Sequence, residues 1–487
     1  MDKIALSAIA SLSVTIGVLV WGTNACGTEC LFRVKPQVAN FSWQDRQIGA
    51  ADRAFLVDFN RPVDRDSIES NLKIEPPLEG TISWAGNRLA YTLKNPAPYG
   101  EEYQVSLLEG QQQYVGEAGE KIKPFVGNFS TRDRSFAYIG SEGKRQGRLV
   151  LYNWTQQDKQ VLTPENLVVS DFEPYPTGDR ILFSATKKNQ DISQLQLYSV
   201  TLDLNQDRQT EQQPQVQLLL DSKEYQNNQF DLAQDGKTII VQRIHHQNLD
   251  DFGLWKIVEG QAPRPLEQDA VGEFAITPDS QALAVAQGEG IALLPLDAKA
   301  ESLDFLPQFG RVVNFSADGR AAVMVDYNQD DIDLRFTKSL FYVNNQGVQK
   351  ELLNLEGSIV DCQFTPKGDD LYCLLTELQE VSRAEQTEYQ EQPYLVNIKL
   401  KTGEITPLLT LPDYQDSKLS MAPDGLGVLF DQVLRADTSD LGGSSAGSAE
   451  VTTIKSRLWL LVPPSSQSDN YQVEQLPMIG FRPQWIP

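Results

Sequence analysis

Four short stretches decide the fold: Ile276-Thr-Pro-Asp-Ser280, Phe315-Ser-Ala-Asp-Gly319, Phe364-Thr-Pro-Lys-Gly368 and Met421-Ala-Pro-Asp-Gly425. Pro174-Tyr-Pro-Thr-Gly178 and Leu232-Ala-Gln-Asp-Gly236 are looser copies. The chemistry is that of a turn. Proline presets φ, Asp bonds its own backbone, and Gly accepts positive φ. An alternating apolar strand follows each turn, as in Ala282-Leu-Ala-Val-Ala286 and Ala321-Ala-Val-Met-Val325. A third strand with aromatic or aliphatic residues comes next, as in Leu254-Trp255-Lys-Ile257 and Leu458-Trp459-Leu-Leu461. Several units end on a short fourth strand, such as Glu351-Leu-Leu353.

Working outward, the copies recur at intervals of roughly 50 residues, the spacing of a four-stranded propeller blade with variable loops. The pattern resembles the turn-and-strand repeat of TolB-like (PD40/WD40-like) propellers over residues 134–487, without that family's hallmark Trp. The resemblance implies a propeller fold and an extracytoplasmic compartment. The end of the chain, Phe481-Arg-Pro-Gln-Trp485-Ile-Pro487, reads as an orphan first strand. It is expected to pair beside Ser135 to Ile139, so that six motif-bearing units and one composite unit make seven blades and leave no exposed sheet edge.

Residues 36–131 alternate in the same way but on a shorter beat. Phe55-Leu-Val-Asp-Phe59, Thr81-Ile-Ser-Trp84, Arg88-Leu-Ala-Tyr-Thr92 and Tyr103-Gln-Val-Ser-Leu-Leu108 are strands separated by Gly86-Asn87 and Pro96-Ala-Pro98-Tyr-Gly100. This density predicts a small β-sandwich. Phe59-Asn-Arg-Pro62-Val63-Asp64, the Trp84 to Tyr103 stretch and Phe129-Ser-Thr131 resemble a bacterial surface-layer-type Ig-like domain, which implies a spacer or adhesive module. Asp64, Asp66 and Glu69 read as a solvated loop after the first strand, with a cation site as the lesser option.

The amino terminus is different in kind. Ile4 to Trp21 carries no charge and Lys3 precedes it, so residues 1–25 read as a signal peptide or retained membrane anchor, followed by a linker over 26–35. Thr23-Asn24-Ala25 suits signal cleavage, and Ala25-Cys26 resembles the end of a lipoprotein box with Thr23 where Leu is usual. Cys26 is therefore the lipidation candidate, or else a partner for Cys30.

Composition excludes several classes. The 487 residues hold 42 Lys+Arg against 66 Asp+Glu, a net charge of −24. Nucleic acid is a poor partner for such a chain, because counterion release needs clustered cations. Two His leave little room for zinc or triad chemistry. They are the adjacent His245 and His246, which point to opposite faces of a strand.

Other candidates are few. Cys362 and Cys373 flank the turn at Pro366-Lys-Gly368, and the hairpin arithmetic sets them face to face in disulfide range. Asp326, Asn328 and Asp330 open like a calcium loop, which then fails: Asp331 stands where Gly is needed and Thr337 where Glu is needed. No other cofactor is expected. Gly443-Ser-Ser445-Ala-Gly447 matches a nucleophile-elbow pattern but sits in the Ser/Gly-rich loop 436–453, without the strand and helix that an elbow requires.

The expected architecture is therefore all-β: an N-terminal helix, an Ig-like sandwich and a seven-bladed propeller. The expected function is a membrane-tethered envelope binding or scaffold protein for a protein or glycan partner, monomeric or a subunit of an envelope complex, and not an enzyme. The alternative is a carboxylate-based glycosidase or lyase working in the propeller channel.

Overall fold

The computed structural model describes residues 35–49, 52–110, 119–202, 214–266, 272–288, 290–297, 304–329, 334, 337–383, 386–411, 418–434, 455–464 and 470–487. The N-terminal segment, with Cys26 and Cys30, lies outside these residues, as do Asp330, Asp331 and the loop 436–453. Among the described residues no helix is long and apolar enough to cross a membrane.

The chain forms two compact units. One draws on residues within Met1–Arg46, Ala54–Thr92 and Tyr103–Phe129; the other on Gln47–Arg53, Leu93–Glu102 and Ser130–Pro487. In the first unit, one sheet has the strand order Val38–Phe41, Ala54–Phe59, Arg88–Leu93, Gly80–Ala85. A second sheet places Glu102–Leu107 between Phe125–Thr131 and Leu72–Glu75. Period-two alternation turns Phe55, Val57 and Phe59 inward. The core is aromatic: Trp43 meets Phe55 and Phe129 edge-on at 5.3 and 5.0 Å, and Tyr103 stacks on Phe129 at 5.1 Å. The segment read as a solvated loop is instead a short helix, Arg65–Asn71. Asp64 caps it by accepting the Ser67 N–H, and Ile68 fills the core beneath. One apolar residue in seven gave no helical period to read.

Among the described residues the second unit is a succession of seven four-stranded antiparallel sheets, numbered 1 to 7 along the chain. The turn motif joins the first and second strands of sheets 2 to 7. At Ser316-Ala-Asp-Gly319 the Ser316 hydroxyl donates to Asp318 and accepts the Ala321 N–H, while Gly319 takes φ 67°. Where Ser280 replaces Gly, the residue still adopts φ 60°. The turn geometry is therefore a requirement of the hairpin, and Gly is its least strained solution.

Packing follows from the alternation. In sheet 3, Ile239 and Val241 pack against Tyr175, Leu182 and Leu197 of sheet 2, while the intervening Ile240 packs toward Phe274 and Leu283 of sheet 4. Second strands are thus covered on both faces, which is why they read as nearly continuous apolar runs. The same rule joins sheet 7 to sheet 1, where Leu429, Leu458 and Leu460 meet Phe136, Tyr138 and Trp485. Sheet 1 in turn packs Ile139 and Leu149 against Phe172 and Phe183 of sheet 2.

The end of the chain completes sheet 1. Gly480–Trp485 pairs antiparallel with Ser135–Gly140, with Phe481 opposite Ile139 and Trp485 opposite Phe136. Sheet 6 departs from its neighbours: Asp370–Arg383 and Gln386–Lys399 form one long hairpin that runs well past the strands flanking it.

Removing residues 480–487 strips the first sheet of its inner strand, takes away the buried Trp485 and Ile486, and uncovers the residues they pack against, such as Phe136 and Phe172. We expect a loss above about 3 kcal/mol, the scale of losing one buried large aromatic. It is read as a fall of many degrees in the thermal midpoint; an unchanged melt would contradict this packing.

Candidate functional site

Each sheet has one strand at its inner edge. These are Gly480–Trp485, Leu167–Pro174, Tyr225–Leu232, Phe274–Ile276, Arg311–Phe315, Ile359–Phe364 and Leu419–Met421, for sheets 1 to 7. All seven contribute to the wall of one cavity of about 690 Å³. An inner strand pairs with its own sheet on one side only, so its other backbone groups need partners from elsewhere.

Side chains of the neighbouring inner strands supply them. Glu173 accepts the Leu232 N–H at 3.0 Å, joining sheets 2 and 3. Asp231 accepts the Ile276 N–H at 2.6 Å, joining 3 and 4. Glu273, just before its strand, pairs with Arg311 at 3.0 Å, joining 4 and 5. Arg311 also donates to the Ile359 carbonyl and Asn314 to the Cys362 carbonyl, at 3.1 and 2.8 Å, joining 5 and 6. Asp361 accepts the Leu419 N–H at 2.9 Å, joining 6 and 7. The Trp485 N–H donates to Ser420 at 3.1 Å, joining 7 and 1. Gln484 donates to the Phe172 carbonyl at 2.8 Å, joining 1 and 2. Residues at matching places in the repeat meet each other, so the inner strands stand level and point the same way.

Two of the carboxylates converge. The Leu232 N–H is shared by Glu173 Oε2 and Asp231 Oδ1, each at 3.0 Å. Burial pushes the Glu173 carboxyl well above the ordinary range, and the neighbouring Asp231 charge adds to the rise. Burial likewise raises Asp231 to about 6, against its two backbone N–H bonds. Asp361 is raised by burial too, opposed first by the Leu419 N–H. The Lys418 ammonium favours the charged form of all three. It also lies 3.7 Å from Asp171, which Arg482 holds at 2.7 Å.

The sequence candidates lie elsewhere, with one exception. Cys362 stands on an inner strand, opposite Cys373 with Cα atoms 4.1 Å apart, and the two sulfurs are bonded in a fully buried disulfide. Asp326 accepts the Asn328 N–H, and the Asn328 amide bonds Thr337 and Ser339, so both serve their own connection. His245 Nδ1 accepts two backbone N–H groups, and His246 Nε2 bonds the Ser222 carbonyl. Among the described residues no group of three or more His, Cys, Asp or Glu is placed to hold a metal ion.

The sequence reading missed Glu173, Asp231, Asp361 and Lys418. For the first two a signal was present. The residue just before each turn motif is Glu173, Asp231, Ala275, Asn314, Gln363 and Ser420, with Gln484 in the terminal copy. All but Ala275 are polar, where the end of a strand would by itself favour no such pattern.

No protein family profile matches the chain, and no curated protein matches it. Among solved structures it is similar to a TolB from Acinetobacter baumannii, at 10% identity and TM-score 0.39, covering 86% of this chain and 83% of that one. It is similar to an oligogalacturonate lyase in complex with manganese, at 13% identity and TM-score 0.45, covering 81% and 98%. A putative 6-phosphogluconolactonase from Bacteroides fragilis gives 12% identity and TM-score 0.42, covering 73% and 98%.

The raised carboxyl groups set a pH dependence. The folded chain binds their protons more tightly than the unfolded chain does, so folding is penalised above about pH 6 and the penalty fades as pH falls toward 4. The wild type should therefore gain several degrees in thermal midpoint, relative to D231N or E173Q, on moving from pH 7.5 to pH 5. Parallel pH profiles for wild type and variants would refute the assignment.

Proposed function

We propose that this chain is an extracytoplasmic, membrane-tethered binding or scaffold protein that holds a protein or glycan partner of the cell envelope and does not transform it. In this reading residues 134–487 are a seven-bladed β-propeller closed by the C-terminal strand, and residues 36–131 an Ig-like spacer. Residues 1–25 are the signal or anchor. The ligand enters the central cavity.

The carrying observation is how the cavity carboxylates are used. Glu173, Asp231 and Asp361 each give an oxygen to a backbone N–H of the next sheet. A general acid or base must be able to move its proton to a ligand, and these groups are tied to the wall. The buried Cys362–Cys373 disulfide supports an oxidising compartment, where such bonds persist.

The second reading, a carboxylate-based glycosidase or lyase, has one observation in its favour. Glu173 and Asp231 converge on a single N–H with their proton affinities raised, as paired acid and base groups do.

The two readings separate on E173Q, which keeps an oxygen to accept the Leu232 N–H. The binding reading expects the variant to capture the same envelope partner from detergent-solubilised membranes as the wild type, with no polysaccharide consumed by either. Turnover by the wild type that falls about 100-fold or more in E173Q would favour the enzyme.

A further inference from the structure

The cavity wall carries four amides: Gln363 donates to the Asp361 carboxylate, and the other three are each oriented by a backbone carbonyl. Gln229 Nε2 donates to the Phe274 carbonyl at 3.4 Å, Asn314 Nδ2 to the Cys362 carbonyl at 2.8 Å and Gln484 Nε2 to the Phe172 carbonyl at 2.8 Å. A backbone carbonyl only accepts, so each NH₂ must face the wall. The carbonyl oxygens of these three amides accept no hydrogen bond among the described residues, and none of them is sealed from solvent. They sit on sheets 3, 5 and 1, spread around the cavity. Among the described residues, Lys338 at the same wall donates to the Ser358 hydroxyl alone, at 3.1 Å, and has two further N–H groups.

The charges of the wall are largely spent on each other. Asp171 is held by Arg482 and Lys418, and Arg311 by Glu273. Four carboxyl groups, Asp171, Glu173, Asp231 and Asp361, line the wall against three cationic side chains, Arg311, Lys338 and Lys418, so a further anion finds no net positive field there. A ligand therefore meets neutral acceptors, one donor-rich ammonium and no free field of one sign. A hydroxyl group, which donates and accepts at once, suits that wall. We propose that the cavity binds an uncharged saccharide unit and discriminates against uronates. This rests on the binding reading above and names its ligand class.

Titration calorimetry on the detergent-solubilised full chain tests it, with cellotriose, the N-acetylglucosamine trimer, trigalacturonate and spermidine as probes. We expect a neutral trisaccharide to bind and trigalacturonate and spermidine to bind at least tenfold more weakly. Gln229→Met and Lys338→Met should each weaken the neutral sugar several-fold while the melting temperature holds. Should either variant melt early, ligand-dependent hydrogen-exchange protection of the wild type at residues 229–231 and 359–361 locates the site instead. The same sugar on a soluble polymer distinguishes a glycan chain from a free oligosaccharide. Preferential binding of trigalacturonate or spermidine, or no binding by any probe, would overturn the ligand class and leave the binding reading standing. So would unchanged affinity in folded variants or absent protection. Consumption of a probe would overturn the binding reading itself.

Discussion

The second unit depends on satisfying the inner edge of each sheet. A buried N–H left without a partner costs on the order of 1–3 kcal/mol, and each inner edge packs beside the next with such groups to satisfy. Adding strands cannot solve this, because each inner strand is already the last of its sheet. The chain uses side chains as the missing partners. Every junction between consecutive inner strands has one, whether carboxylate, amide, hydroxyl or guanidinium. Apolar packing between the sheets supplies the bulk of the stability. The bridges fix level and direction.

That solution also makes the cavity what it is. A bridging amide turns its donors to the wall and leaves its carbonyl oxygen inside. A bridging carboxylate keeps an acceptor oxygen for the next strand and carries a burial penalty. The penalty is tolerable because Lys418 lies among Asp171, Glu173, Asp231 and Asp361, and because protonation relieves the crowding of Glu173 against Asp231. A polar, acceptor-rich interior is thus a by-product of holding the sheets in register, and one available to a ligand.

The legible parts of this architecture were those set by local chemistry. The turn motif declares itself because proline, Asp and Gly act within five residues, and the alternating strands follow from which faces are covered. The helix Arg65–Asn71 was not legible, since Ile68 alone marks its buried face. Nor was the length of the sheet 6 hairpin, because Glu377 to Gln392 is too polar to show which face packs. The bridging residues were half legible. Glu173, Asp231 and Asn314 sit at one fixed place in the repeat, visible by aligning the copies. Yet Asp361 and Lys418 lie two residues earlier, and their meeting with sheet 7 and sheet 2 is a fact of packing between units far apart in sequence.

Native-state hydrogen exchange at the bridged amides tests the central claim most directly. The N–H groups of Leu232, Ile276, Leu419 and Trp485 lie on the inner strands and are held by side chains of the preceding sheet around the cavity. They should exchange as slowly as the amides of the second strands, through opening of the whole unit. Exchange at the rate of exposed edge amides would show that the inner strands are not joined, and would contradict the account.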